Sequence, residues 1–310
     1  MIKILVAGIG GVGGYFGGML TKAFVNDEAA DIYFLARGKH LSMIKSKGLK
    51  ILHGNDEIIV HPRLATDNAN EIGIVDYILV CCKTYDFEEV IAQLKPCINE
   101  NTSILTLQNG VESAAKMKQL APLSKVLNGC VYIVSYIKDS GIIENKGNIQ
   151  KLYFGSTHEK QENSIKLEKI FKHAQIEASY CEDIEEVVWE KFYMISANST
   201  ATSYFKCTVG ELFDDVGKYN FLFQLLTEIN NVALAKGLIF KEDMVAKTVL
   251  KLKSLPYETT SSMQRDFMKQ NGKTELESIT GYVVKLGKEL HVETPAFAAA
   301  YRQLTNQQAI

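Results

Sequence analysis

A glycine-rich run near the amino terminus has the spacing of a nucleotide-binding loop. It follows the first predicted strand directly, opens a predicted helix, and consists of Gly8, Ile9, Gly10, Gly11, Val12 and Gly13. The first glycine permits a tight turn, the second lets the backbone approach a pyrophosphate, and the third lets helix and strand pack closely. Backbone N–H groups at the helix N-terminus attract such an anion. The run therefore predicts a dinucleotide-binding site.

A basic residue stands where the second predicted strand ends. Sites that prefer NAD(H) usually place a carboxylate there to hold the ribose 2′-hydroxyl, but this chain has Arg37, followed closely by Lys39. The planar guanidinium fork pairs well with phosphate oxygens. Arg37 therefore favours NADP(H), and the alternative is an exposed arginine that binds no ligand.

Lys191 lies within the apolar stripe of a long predicted helix. The other residues of this stripe are Ile184, Val187, Val188 and Ile195. A lysine on an inward helix face is costly unless it has a partner or a function, and proton donation to a ketone oxygen is one such function. The alternative is a lysine whose stem covers apolar surface while its ammonium group reaches water.

Glu275 stands at the start of another predicted helix. Thr274 and Glu277 have the spacing of a capping box, which places Glu275 in the first turn. The helix dipole favours a carboxylate there whether or not a ligand binds. From the residues alone, a catalytic role and a helix-capping role remain equal alternatives.

Asn109 and Lys83 each follow a predicted strand at its carboxyl end, where open α/β sheets collect their ligands. The alternatives are a turn asparagine before Gly110 and a solvated lysine. We predict that both residues lie beside the cofactor and that Asn109 also contacts the substrate.

The elements that must position these residues change in character along the chain. Runs at 2–7, 31–36, 77–82 and 103–107 predict parallel strands with crossover helices, and runs at 129–137, 151–155 and 177–181 predict a mixed extension of the same sheet. Helical periodicity follows Cys181 almost to the end. We predict an α/β protein in which residues 1–181 form a Rossmann-type dinucleotide-binding domain and residues 182–310 form an all-helical domain.

The composition limits the classes of function. The 310 residues suffice for two domains, and a formal charge of −2 provides no basic field for nucleic acid or an anionic membrane surface. No apolar run reaches the roughly 18–20 residues of a membrane span, and the amino terminus does not resemble a signal peptide. Cysteine and histidine spacings indicate no metal site. These features predict a cytoplasmic protein that binds small molecules.

Further short motifs are spread over nearly the whole chain. They are Cys82-Lys83-Thr84, Leu107-Gln108-Asn109-Gly110-Val111, Trp189-Glu190-Lys191-Phe192, Ser261-Ser262-Met263 and Thr274-Glu275-Leu276-Glu277. With the glycine run and Arg37, their order resembles the ketopantoate reductase (2-dehydropantoate 2-reductase) family. The resemblance implies NADPH-dependent reduction of 2-dehydropantoate to pantoate in pantothenate and coenzyme A synthesis. It also implies Lys191 as the catalytic lysine, Glu275 as the catalytic-site glutamate, and Ser262 near the substrate carboxylate.

The chain departs from the family pattern at three positions that carry asparagines in typical members. These positions hold Ile195, Ser199 and Val209. Because an unpaired buried polar group costs about 1–3 kcal/mol, the departure can shift substrate preference. We hypothesise that nearby polar side chains rebuild this wall of the pocket, namely Asn198, Thr202 and Ser203.

Three questions stay open at the level of sequence. One alternative is a family relative that reduces another branched 2-oxo acid, and a second is a non-catalytic NADP(H)-binding sensor. The third is the oligomeric state, for which a homodimer is one possibility; we expect a small-molecule 2-oxo acid as substrate and neither nucleic acid nor a membrane as partner.

Overall fold

The chain divides after Glu185 into a sheet-containing unit and a helical unit. The computed structural model describes residues 1–156, 162–269 and 273–308. Unit 1 comprises Met1–Gln108 and Glu112–Glu185, and unit 2 comprises Asn109–Val111 and Glu186–Ile310. The short segment Asn109–Val111 therefore belongs with the helices, although it directly follows the strands of unit 1.

Two sheets form the framework of unit 1. The strands are β1 (Ile2–Ala7), β2 (Ala30–Leu35), β3 (Leu49–His53), β4 (Asp56–Val60), β5 (Leu64–Thr66), β6 (Tyr77–Val80), β7 (Ser103–Thr106), β8 (Lys125–Tyr132), β9 (Ser135–Asp139), β10 (Ile142–Asn145), β11 (Lys151–Gly155) and β12 (Glu177–Tyr180). Eight of them form a sheet in the order β12-β11-β8-β7-β6-β1-β2-β5, and four form a sheet in the order β4-β3-β10-β9. In the larger sheet all neighbouring pairs are parallel except β8 and β11.

Helices connect these strands and build unit 2. They are α1 (Gly11–Phe24), α2 (Gly38–Lys47), α3 (Phe87–Leu94), α4 (Ser113–Leu120), α5 (Glu162–His173), α6 (Ile184–Phe205), α7 (Val209–Asp214), α8 (Val216–Ala235), α9 (Met244–Lys253), α10 (Ser262–Met268), α11 (Tyr282–Glu289) and α12 (Pro295–Gln308). A π-helical turn, Glu277–Gly281, leads directly into α11. The predicted combination of an α/β amino-terminal part and a helical carboxyl-terminal part is confirmed.

One predicted strand is wrong in its extent and its sheet. Residues 129–137 do not form a single strand, because the large sheet keeps only β8 and the chain then turns away. Strand β9 pairs instead with β10 as a hairpin in the small sheet. The intervening Gly141 has a φ of 77°, which suits a tight turn, so the local hairpin determines where β9 pairs.

Helix α1 lies close to both sheets of unit 1 because glycine replaces larger residues along it. A Cβ atom at Gly17 would lie 3.0 Å from the ring of Phe34 in the large sheet. A Cβ atom at Gly18 would lie 2.1 Å from Cδ1 of Ile51 in the small sheet. This close packing fixes the position of the first turn of α1, which follows the glycine-rich loop.

Unit 2 has its own apolar core around α6 and α8. Trp189, Phe192 and Tyr193 of α6 are almost completely buried in this core. Glu228 of α8 is also buried, and its carboxylate accepts hydrogen bonds from the first backbone N–H groups of α12 at 2.8 and 3.0 Å. Burial raises the pKa of Glu228, while these two hydrogen bonds act in the opposite direction.

Two further observations concern classes of site. Within the described part of the chain, no helix combines the length and apolar character needed to cross a membrane. The described residues also contain no group of three or more histidine, cysteine, aspartate or glutamate side chains arranged to hold a metal ion.

Candidate active site

The glycine-rich loop leaves β1 through a backbone conformation that suits only glycine. Gly8 has a φ of 93°, and a Cβ atom there would lie 2.7 Å from the backbone nitrogen of Cys82. Its own N–H donates to the carbonyl of Leu35 at 3.1 Å, which holds the loop against the end of β2. Ile9 is buried, so the loop is anchored from within the unit.

The first turn of α1 contains the other residues of the run, and it has the room that a pyrophosphate requires. Gly10 is the N-cap and makes no side-chain capping bond, while a Cβ atom at this position would meet nothing within 4 Å. At Gly13, in contrast, a Cβ atom would lie 2.1 Å from the carbonyl oxygen of Gly8. Gly11 and Val12 lie between them in the first helical turn. The open space at Gly10 and the helix N-terminus fit a dinucleotide phosphate.

The small sheet also reaches this turn, which the sequence did not indicate. A Cβ atom at Gly11 would lie 2.0 Å from the carbonyl oxygen of Ser135, the first residue of β9. The hydroxyl oxygen of Ser135 is buried without a hydrogen-bond partner among the described residues. Strand β9 therefore forms one side of the glycine-rich loop.

Arg37 is at the N-cap position of α2, directly beyond β2, and its side chain is 65% exposed. Its Nη2 forms an ion pair with the carboxylate of Asp86, and its Nη1 lies 3.8 Å from Oε1 of Glu89. Sequence reasoning missed both acids, because Asp86 is 49 residues from Arg37. The only signal for Asp86 was its place just after Lys83-Thr84, beyond a strand end.

Lys83 follows β6 and is the N-cap residue of a 3₁₀ turn, Thr84–Asp86. The neighbouring Cys82 thiol accepts a hydrogen bond from Nε2 of Gln108 at 3.8 Å. Burial raises the pKa of Cys82 to about 12, so its thiol stays protonated at neutral pH and is a poor nucleophile. Lys83 thus lies where the sequence placed it, just beyond the carboxyl end of β6, and its contact with a cofactor stays a prediction.

In unit 2, Asn109 connects the two residues for which the sequence suggested catalysis. Nζ of Lys191 donates to Oδ1 of Asn109 at 2.9 Å, and Nδ2 of Asn109 donates to Oε2 of Glu275 at 3.5 Å. The amide thus turns its acceptor to the ammonium group and its donor to the carboxylate, which is the only orientation that satisfies both charges. Sequence reasoning placed all three residues in the site but did not reveal this connected series.

The members of the series are buried to different degrees, and the segment after Asn109 is closely packed. Lys191 projects from α6 and is partly buried, and Glu275 is only 2% exposed. Gly110 follows Asn109 with a φ of 101°, and a Cβ atom there would lie 3.3 Å from the carbonyl of Ser278. The next residue, Val111, packs against the core of unit 2.

The predicted capping box around Glu275 is wrong. The Thr274 hydroxyl accepts from the N–H of Leu276 at 3.2 Å, and the Glu277 carboxylate accepts from the Tyr301 hydroxyl instead of closing the box. The chain winds here as a π-helical turn that begins at Glu277, so the spacing needed for the box is lost. Glu275 therefore lies just before the helix, where it bonds to Asn109.

The proposed substrate wall lies along α6 and at the start of α10. Thr202 donates to the hydroxyl of Ser261 at 3.0 Å, while Ser262, the predicted carboxylate contact, is the first residue of α10. Three side-chain oxygens near this contact are buried without a hydrogen-bond partner among the described residues, namely those of Asn198, Ser203 and Gln264. Unpaired buried acceptors of this kind are unusual and suit a ligand that donates hydrogen bonds.

Two of the three positions that lack the family asparagine contribute little polar surface. Val209 is 1% exposed and belongs to the apolar core of unit 2, and Ile195 packs against that core. Ser199 is buried as well. The polar groups of this region are therefore supplied by the neighbouring residues, of which Gln264 was not recognised in the sequence.

Comparison with known proteins follows the same division of the chain. A family model described as ketopantoate reductase PanE/ApbA matches residues 4–159, and a model of its C-terminal part matches residues 183–308. The uncharacterized oxidoreductase YkpB of Bacillus subtilis is 27% identical over 310 residues, with 99% of each chain covered.

Two solved structures extend the comparison. The 2-dehydropantoate 2-reductase from Porphyromonas gingivalis W83 is 34% identical, with a TM-score of 0.86 over 98% of this chain and 99% of that chain. The structure of D-mandelate dehydrogenase with NADH and anilino(oxo)acetate is 18% identical, with a TM-score of 0.88 over 99% of this chain and 98% of that chain. The second likeness shows that the fold is shared.

Proposed function

The chain belongs to the ketopantoate reductase (PanE/ApbA) family, and we propose that it reduces 2-dehydropantoate to pantoate with NADPH, as in pantothenate synthesis. The observation that carries the proposal is the hydrogen-bonded series of Lys191, Asn109 and Glu275 in unit 2. The name of the Porphyromonas gingivalis relative, at 34% identity over nearly the whole chain, supports the substrate.

The residues of unit 1 are proposed to hold the cofactor. Backbone N–H groups of the first turn of α1 bind the pyrophosphate, and the gap at Gly10 admits it. Arg37 binds the ribose 2′-phosphate, and Lys83 lies beside the cofactor at the end of β6. NADPH, when bound, supplies the hydride for reduction.

The residues of unit 2 are proposed to handle the proton and the substrate. Lys191 donates a proton to the C2 oxygen, or stabilises the negative charge that develops there, from the position in which Asn109 holds its ammonium group. Glu275 fixes the orientation of the Asn109 amide. Asn109 itself, Asn198 and Ser262 contact the substrate.

The test is NADPH oxidation with ketopantoate and a panel of branched 2-oxo acids, in wild type and Lys191→Ala. We expect the variant to lose at least about a hundredfold in kcat, since a positioned acid contributes roughly 10²–10⁴-fold. Lys285→Ala, which removes a lysine that is 67% exposed on α11, is the matched control and should retain activity.

The panel separates the proposal from its alternatives. A much faster reaction with another branched 2-oxo acid would replace 2-dehydropantoate as the substrate while keeping the role of Lys191. Tight NADPH binding without oxidation by any member of the panel would contradict catalysis and favour a sensor. Activity unchanged in Lys191→Ala would refute the assignment of the proton donor.

A further inference from the structure

The ion pair of Arg37 changes the local charge at the place where the 2′-phosphate of NADPH is proposed to bind. The guanidinium that is proposed to bind this phosphate is paired with Asp86 and lies 3.8 Å from the carboxylate of Glu89. The Asp86 side chain is only 10% exposed, whereas those of Arg37 and Glu89 are 65% and 60% exposed. Asp86 is therefore the better shielded, and electrostatically the stronger, of the two acidic neighbours.

Asp86 pairs with Arg37 and does not cap the helix that follows it. Asp86 stands directly before α3, at the N-cap position, where aspartate commonly accepts a hydrogen bond from the helix backbone. Its side chain makes no such capping bond and pairs with Arg37 instead. Replacing the carboxylate by an amide would therefore change the charge at Arg37 without removing a helix cap.

The charges at this point act differently on the two nicotinamide cofactors. A 2′-phosphate carries a charge of about −1.5 to −2 and is attracted by Arg37 but repelled by the carboxylate that partly neutralises it. An uncharged ribose 2′-hydroxyl is not repelled and can donate a hydrogen bond to a carboxylate. The guanidinium has five N–H donors, so a phosphate can still bind it beside Asp86.

We propose that Asp86, through its ion pair with Arg37, sets the selectivity of this chain between NADPH and NADH by weakening its attraction for the 2′-phosphate. The proposal rests on the assignment of Arg37 to the ribose in the proposed function. It adds Asp86 to the glycine run and Arg37 as a residue that determines cofactor specificity. Glu89, more exposed and farther from the guanidinium, acts in the same direction and more weakly.

The test is fluorescence titration of NADPH and NADH into wild type and Asp86→Asn, without any 2-oxo acid. We expect Asp86→Asn to lower the Kd for NADPH by about five- to tenfold, as one like charge is removed beside a phosphate. The Kd for NADH should stay within about twofold of the wild-type value or rise above it, because the ribose of NADH carries no 2′-phosphate charge. Glu89→Gln, which lies on the exposed surface, should lower the Kd for NADPH by about twofold.

Glu88→Gln is the matched control, because it removes the same charge from the same turn of α3 and should leave both Kd values unchanged. Arg37→Ala should weaken NADPH binding, and in that background Asp86→Asn should no longer strengthen it by the full factor. Circular dichroism and Tm values establish that each variant is folded, and Glu89→Gln carries the test if Asp86→Asn does not fold.

Two results would overturn the proposal. Weaker NADPH binding in Asp86→Asn would mean that Asp86 serves to position Arg37, and unchanged NADPH binding would mean that it has no part in selectivity. Because no substrate is present, these results do not depend on which 2-oxo acid is reduced. An enzyme that fails the activity assay but shows the NADPH shift would refute the proposed reaction alone.

Discussion

Asn109 shows how much of a site can be read from residue types and how much requires the fold. Its position after a strand predicted a ligand-binding asparagine, and the family resemblance indicated Lys191 and Glu275. The amide that joins them could not be predicted, because its partners lie 82 and 166 residues away in the sequence. For the same reason, the pairing of Arg37 with Asp86 could not be predicted from the sequence. Hydrogen-bond partners distant in sequence are determined by tertiary packing, which residue spacing does not encode.

Asn198 is the residue through which substrate preference can be tested most directly. Its buried Oδ1 has no hydrogen-bond partner among the described residues, so a substrate hydroxyl that donates to it would gain a bond that the free protein lacks. We expect Asn198→Ala to lower kcat/KM for ketopantoate by about 10–100-fold, mainly through KM. The measurement compares ketopantoate with 3,3-dimethyl-2-oxobutanoate, which lacks only the terminal hydroxyl.

The matched pair of substrates serves as the internal control for this variant. For 3,3-dimethyl-2-oxobutanoate, Asn198→Ala should alter kcat/KM by no more than about threefold, because no hydroxyl bond is lost. An equal loss of kcat/KM with both substrates would show that Asn198 supports the structure of α6 and does not bind the substrate hydroxyl.

At the scale of elements, strands with mostly buried apolar patterns were predicted more reliably than exposed strands. Strand β1 and strand β11 have the predicted bounds, since each forms a short, mostly buried run that pairs on both sides. Strand β9 has four exposed residues out of five, so its pattern does not specify a sheet and its hairpin turn decides its pairing. The π-helical turn after Glu275 was equally hidden, because its sequence fits an ordinary helix start.

Two single substitutions in the glycine-rich loop separate its contribution to stability from its proposed contribution to NADPH binding. Gly13→Ala places a methyl group 2.1 Å from the Gly8 carbonyl, so β1 and α1 must separate; we expect a loss of about 1–3 kcal/mol in the free energy of unfolding. Gly10→Ala meets nothing within 4 Å and should cost at most about 1 kcal/mol, the difference between glycine and alanine at an N-cap. Its methyl group, however, enters the space proposed for the pyrophosphate and should raise the Kd for NADPH at least about tenfold.

Chemical denaturation and NADPH titration measure these two effects on the same pair of variants, each of which serves as the control for the other. Undiminished NADPH binding by Gly10→Ala would argue against a pyrophosphate at this turn. A Gly13→Ala protein as stable as wild type would show that the loop relaxes more easily than the close approach of the two backbones suggests.

At the scale of the whole molecule, the sequence indicated two parts of different character because helical periodicity replaces strand patterns after Cys181. It gave no sign that Asn109–Val111, which follows strand β7, belongs with the helical unit. Packing of Val111 in the helical core assigns this segment to unit 2. The hydrogen-bonded series of Lys191, Asn109 and Glu275 is thereby complete within unit 2, whereas the residues proposed for dinucleotide binding other than Asn109 lie in unit 1.

This division predicts how NADPH should affect the stability of the whole chain. A ligand that binds only the folded protein, present at one hundred times its Kd, raises the free energy of unfolding by about 2.7 kcal/mol. We expect this increase in wild type and equally in Lys191→Ala, since the alanine removes a proton donor and leaves the glycine-rich loop intact. In Gly10→Ala at the same NADPH concentration, a tenfold weaker Kd should reduce the increase by about 1.3 kcal/mol. Differential scanning calorimetry with and without NADPH measures the stabilisation of all three proteins. A stabilisation lost in Lys191→Ala would mean that Lys191 is needed to hold the cofactor. Loss of activity in this variant could then not be attributed to proton transfer.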